Sequence, residues 1–475
     1  MDVKEKIRGF QKWLNKHPLL LGVLSIIWLA LRTGTKPSRI NYPCQKAALA
    51  NSIALLAAFP ILTAAYYKAK RLVEKKQTIP IIMVILLAGS LALLTWRPEQ
   101  KPLVLDLHSK QASGTPFSEV FVANGTIREL VNLMGSKGLF FFKSLHEDAN
   151  SGPNGLFGRD DVILIKINCQ WPERGGTNTD LLKDLIDLIL SHPDGFTGEI
   201  VVADNGQGRG SLDWTLSNAA DHSQSVEEVV ALYSDKHNVS TYLWDRIAST
   251  VVKEYDQGDY RDGYIVYPQR DTATGVNVSY PKFKTARGTY ISFKRGVWDP
   301  VKKTYNSTRL KVINFPVLKS HSVYGVTAAI KNYMGVVSQS LTDTHSYIGQ
   351  GALGKVMVET RVPTLNILDA IWINPVPRGG PDTSYSEAVQ TNLVLASTDP
   401  VALDYWASKH ILLRVAEIKG YSNRVTLDPD EQSPQTGLAT PFGVYLRNSL
   451  NQLLAGGYQF TIDENRITVY IAGKS

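Results

Sequence analysis

Residues 162–170 read VILIKINCQ, residues 180–191 DLLKDLIDLILS and residues 199–204 EIVVAD. The first stretch is a continuous apolar run over 162–167, the pattern of a strand buried on both faces. In the second, Leu181, Leu182, Leu185, Ile186 and Ile189 fall on one helical stripe. The third, over 199–203, is a second strand. Strand, helix and strand make a βαβ unit, which implies parallel pairing. The theme recurs downstream, with strands over 311–315, 365–373 and 392–396 and helices over 326–334 and 401–413. A helix over 444–454 and a strand over 467–471 follow. Residues 256–308 differ: they are rich in Tyr, Gly, Lys and Thr in short alternating runs. They read as an inserted β-hairpin region. The expected fold of residues 161–475 is therefore α/β, with a mostly parallel sheet. Residues 102–160 read as a linker and small lead-in unit.

Charge separates the N-terminal piece from the rest. The 475-residue chain has a formal net charge of +8. Residues 1–101 carry 16 Lys+Arg against 4 Asp+Glu, so the remainder is net acidic, at −4. An acidic globular part is a poor nucleic-acid binder, and no nucleic-acid partner is expected. The basic piece contains three apolar runs, at 18–31, 47–67 and 78–96, none with an ionisable side chain. The second and third are long enough to span a membrane as helices. The first is shorter and either spans or lies in the interface. Residues 1–101 are thus expected to be a membrane anchor of two or three transmembrane helices, with lipid as their partner. If all three span, the N-terminus and residues 68–77 share a side with five Lys/Arg each. The positive-inside rule then places the large domain outside the cytoplasm, the orientation preferred here.

Four motifs carry candidate chemistry. Lys166 and Asn168 end the first strand, and Thr177 lies in the following GGTNTD loop (175–180), before a helix. Polar groups at the carboxyl ends of parallel strands face the ligand crevice of open α/β sheets. Asp204 ends the next strand and opens the glycine-rich DNGQGRG loop (204–210). The densest cluster is PVLKSHSVYGVTAAIKNYMG (316–335), with Lys319, His321, Thr327, Lys331 and Asn332 in an apolar setting. Lysine suits a phosphate or carboxylate, and imidazole is a common proton shuttle or metal ligand. His345 and Asp343 follow closely, and with His321 they form a candidate site for a divalent metal. The fourth motif is STDPVALD (397–404), where Asp399 and Pro400 make a helix start and Asp404 is a candidate site-facing carboxylate.

The expected function is binding of a small anionic ligand, with Lys319 and Lys331 holding it. In an enzyme, His321 would act as acid/base or metal ligand, oriented by Asp204 or Asp404. The alternative is a non-catalytic envelope module that binds a ligand or partner protein. Only two cysteines are present, Cys44 and Cys169, so the chain alone cannot ligate an iron–sulfur cluster through cysteine. In the exterior topology a bridge between these two cysteines is a further option.

VILIKINCQ…GGTNTD, EIVVADNGQG, VINFPVLKSHSVYGVTAAIKNYMG and LVLASTDPVALDYWAS, in that order, together resemble the domain of unknown function 362 family over roughly residues 160–410. The last two segments are the specific ones. Family members often carry ferredoxin-like iron–sulfur modules, and this chain departs from them in its cysteine content. The stretch GVTAAIKNYMG is also distantly similar to the lysine-bearing loop of nickel-dependent lactate racemases. The resemblance implies an α/β fold and candidate positions, without a general activity.

Overall fold

The computed structural model describes Ser25, residues 102–113 and residues 118–473. The three apolar runs of the N-terminal piece, apart from Ser25, lie outside the described residues. Among the described residues, no helix is long and apolar enough to cross a membrane.

A ten-stranded sheet organises the described residues. Its strands are β1 (Ser118–Asn124), β2 (Val162–Lys166), β3 (Glu199–Asp204), β4 (Val239–Leu243), β5 (Leu310–Asn314), β6 (Val317–His321), β7 (Gly325–Thr327), β8 (Leu365–Asn374), β9 (Val389–Ser397) and β10 (Ile467–Ile471). The spatial order is β10-β1-β9-β8-β5-β2-β3-β4. From β8 through β4 every pairing is parallel. β9 runs antiparallel to both β8 and β1, and β10 is parallel to β1. The sheet is thus mixed with a parallel centre, as the βαβ pattern predicts. β6 continues beside β8, and β7 folds back on β6.

Alternation along the buried strands feeds two apolar clusters. Ile163, Ile165, Ile200 and Val202 pack with the stripe of helix α2 (Thr179–Leu190). Val162, Leu164, Val201 and Val312 pack into the other cluster, with Phe283 and Phe293 of the insertion. Both faces are covered, which explains why these strands read as unbroken apolar runs. The insertion is a separate five-stranded antiparallel sheet, from Gly263–Val266 to Thr304–Asn306.

Two local expectations change. The helix expected over 326–334 is instead β7 followed by a short helix, α4 (Ala329–Asn332). Thr327 pairs with Lys319 across the β6–β7 ladder, and that pairing outweighs the helical spacing of Thr327 and Lys331. Within the expected lead-in, Ser118–Asn124 is an internal strand of the main sheet and is followed by helix α1 (Ile127–Ser136). The cap of α2 is Asn178, whose side chain accepts from the N–H groups of Asp180 and Leu181. The cap at Asp399 with Pro400 at the first helical position is as expected, and it opens helix α6 (Pro400–Ala407).

Candidate functional site

One row of residues crosses the sheet at the carboxyl ends of β2, β3, β5 and β9 and the amino end of β8. Ser397 pairs with Asn366, Asn366 with Asn314, Asn314 with Lys166, and Lys166 with Ala203. The side chains interlock along the row. Asn332 Nδ2 donates to Asn314 Oδ1 at 2.8 Å, and Asn314 Nδ2 donates to Asn366 Oδ1 at 2.9 Å. Asn366 Nδ2 in turn donates to the Ser397 carbonyl at 3.1 Å. Each amide is buried, and each needs this partner because an unpaired buried polar group is costly. The row ends on Lys166, whose Nζ donates to Asn332 Oδ1 at 3.0 Å and to the Ile167 carbonyl at 2.9 Å.

Above the row is a small polar cavity. Lys166, Asn168, Asp204, Lys319, His321, Thr327, Lys331 and Asn332 line it, so four separate sequence segments converge there. Lys166 Nζ and Asp204 Oδ1 form an ion pair at 2.7 Å. Asp204 Oδ2 accepts from the Cys169 N–H at 2.7 Å. A Cβ on Gly335 would lie 2.1 Å from Asp204 Oδ1 and 2.5 Å from Lys166 Nζ, so the glycine lets the chain close over the pair. The glycine-rich loop after Asp204 is tied down by Asp245, which accepts from Gly206 and Gly208 N–H at 2.7 and 2.6 Å.

The other two lysines have no carboxylate partner. Lys319 Nζ donates to the Gly175 carbonyl. Lys331 is 6% exposed, and its Nζ has no hydrogen-bond acceptor or ion pair among the described residues. It lies 5.2 Å from the centre of the Tyr324 ring. Burial, opposed by Asp382 and reinforced by Lys331, lowers Lys319 to about 7. Burial, with Lys166 nearby, lowers Lys331 to about 7. His321 Nδ1 accepts from the Val323 and Tyr324 N–H groups at 3.0 and 3.3 Å. Those bonds assign the proton to Nε2. Burial, then Lys331 and Lys319, pushes His321 far below its ordinary pKa, so the ring is neutral. Three further polar atoms of the lining are buried without a partner: Asn168 Oδ1, Trp171 Nε1 and Thr327 Oγ1.

Two expected site residues take supporting places. Thr177 Oγ1 accepts from the Asn168 N–H at 2.8 Å and so braces that loop from outside the cavity. Asp404 accepts from the Ala329 and Ile330 N–H groups at 2.7 and 2.9 Å, and therefore caps the helix that carries Lys331. Burial raises Asp404 to about 8 against those two bonds. The metal candidates do not assemble. Asp343 is exposed and bonds Ser346 N–H at 3.3 Å, while His321 and His345 each pack against Tyr324. Among the described residues, no group of three His, Cys, Asp or Glu side chains is placed to hold a metal. Cys169 is buried, 2% exposed, and unpaired among the described residues; Cys44, its candidate bridge partner, lies outside them. Reading by motif missed Trp171, Gly335 and the Asn314–Asn366 pair. An asparagine inside a buried apolar strand was the available signal for the last two.

The segment that builds half of this cavity is similar to a known family. Residues 302–409 match the family model described as a domain of unknown function, DUF362. The match runs from β5 through α6 and contains Lys319, His321, Lys331 and Asp404. It bears out the resemblance over that segment. Lys166 and Asp204 come from outside it. A thylakoid-associated protein of Synechocystis sp. is 30% identical over 129 residues, covering 24% of this chain and 39% of that protein. The chain therefore matches well under half the length of this curated relative. No solved structure matches the chain.

Proposed function

We propose that the cavity binds a small anion, a carboxylate or phosphate, at the carboxyl ends of β2, β3 and β6. The observation that carries this is Lys331: a buried amine with no acceptor and no counterion among the described residues, lining a polar cavity, whose charged form an anion would stabilise. A buried charge without a partner is strongly disfavoured, and a ligand anion would supply the partner. The unpaired Trp171 Nε1 and Thr327 Oγ1 add donors beside it. In this reading His321 serves as a neutral Nε2–H donor. Action as a base or metal ligand through Nε2 would require moving the proton to Nδ1, against two backbone N–H groups. A neutral imidazole that donates to a developing oxyanion is an established catalytic device, and this supports an enzymatic use of the site. We also propose that residues 1–101 anchor the domain to a membrane on its extracytoplasmic side. Their apolar runs and the thylakoid association of the relative support that setting.

The test is calorimetric titration of the full chain with inorganic phosphate and with acetate, for wild type and Lys331→Met. Saturable binding by the wild type and a loss of ten-fold or more in the variant are expected. Equal affinity in the two proteins would remove Lys331 from the role.

A further inference from the structure

We infer that Lys331 is a nucleophile that forms an imine with the carbonyl of a small 2-oxo carboxylate. The inference rests on the anion-pocket reading and narrows its ligand. The geometry leads to it through the charges that face Lys331. Lys166 approaches from β2, Lys319 and His321 from β6, and Asp204 from β3, while Tyr324 and His345 flank the helix side. Asp204 is the one carboxylate among these groups, and it is already engaged by Lys166 and by the Cys169 N–H. Three amines thus share one buried carboxylate, while Asp382 acts on Lys319 from an exposed position. The electrostatically cheapest change is for one amine to release its proton. Lys166 is held by three partners and Lys319 by the Gly175 carbonyl, whereas Lys331 is anchored by none. A lowered amine pKa agrees with that assignment. A desolvated lysine beside other cations is the usual form of an imine-forming lysine.

The rest of the lining fits the remaining atoms of such a ligand. Lys319, the Thr327 hydroxyl and the Trp171 indole N–H are donors for its carboxylate. The Nε2–H of His321 is a donor for the carbonyl oxygen, which gains charge as the carbon is attacked. The Lys331 lone pair adds to the carbonyl carbon, and the oxygen takes a proton to give a carbinolamine. The hydroxyl then leaves as water. Amine, carbonyl and one solvent proton become a protonated imine and one water, with no oxidant or reductant.

The experiment is borohydride trapping on the full chain with pyruvate near neutral pH, followed by peptide mass mapping. The expected result is a reduced adduct on Lys331 at least ten-fold above any other lysine. It should be absent without borohydride and suppressed by excess lactate, which keeps the carboxylate but lacks the carbonyl. Lys331→Arg, which keeps a long basic side chain but cannot form the imine and is checked for folding by circular dichroism, should give no adduct at that site. If calorimetry finds lactate or phosphate bound but pyruvate labels only scattered surface lysines, the imine is wrong and the anion pocket stands. If neither anion binds, both readings fall.

Discussion

Lys166 Nζ and Asp204 Oδ1 lie 2.7 Å apart at the ends of adjacent parallel strands, 1% and 3% exposed, with the backbone of Gly335 closed over them. This pair joins the sheet to the helix segment that carries Lys331. Removing one member leaves the other charged and buried. Lys166→Met should therefore cost roughly 3–5 kcal/mol of stability by denaturant unfolding. Gly335→Ala would place a methyl group on the pair, and overpacking of this kind costs about 1–3 kcal/mol. If Lys166→Met unfolds at the wild-type midpoint, the pair has no structural weight.

The asparagine row should behave as one unit. Asn314→Leu leaves Asn332 Nδ2, Asn366 Oδ1 and the Ala329 carbonyl without their partners. Each such loss costs about 1–3 kcal/mol. A double-mutant cycle between Asn314→Leu and Asn332→Leu should give a coupling of about 0.5–3 kcal/mol. Simple additivity of the two substitutions would mean that the bonds are independent of one another.

Stability should pass through a minimum near neutral to slightly alkaline pH. Burial raises Asp399 to about 6, Asp369 to about 7 and Asp404 to about 8. Between pH 4 and 8 the folded state holds protons on these groups that the unfolded chain has released, so stability falls as pH rises. Lys319 and Lys331 have the opposite sign. Folded, they release protons near 7, whereas the unfolded chain keeps them to above 10, so stability rises through that window. Urea midpoints measured from pH 5 to 10 should trace the dip, and Lys331→Met should flatten its alkaline limb. A profile that falls steadily to pH 10 would contradict the lysine contribution.

Cys44 can report the side of the membrane, because Cys169 is buried and should stay unlabelled in the folded protein. An impermeant maleimide applied to intact cells should modify Cys44 without permeabilisation if the large domain is extracytoplasmic and all three apolar runs span. Labelling only after permeabilisation would place that loop in the cytoplasm, and with it the domain.

The unbroken apolar runs at 162–165 and 200–203 determined a parallel, doubly covered centre, because only a strand buried on both faces lacks polar alternation. Strand-end polarity likewise marked Lys166, Asn168 and Asp204, since side chains at the carboxyl end of a parallel strand meet at the crevice. The segment 316–335 was rich enough in cations to declare a site by itself. Its local form was not legible there: Thr327 and Lys331 have helical spacing, but the ladder between Lys319 and Thr327 supplies bonds that only the sheet edge makes available. Tertiary structure also decided which polar residues touch the cavity. Asp404 turns to cap α4, and Asp343 faces solvent, because donors from distant segments, or their absence, set each carboxylate's direction. Whether His321 gives or takes a proton depends on two backbone N–H groups that folding aims at Nδ1, an angular relation that residue order does not encode.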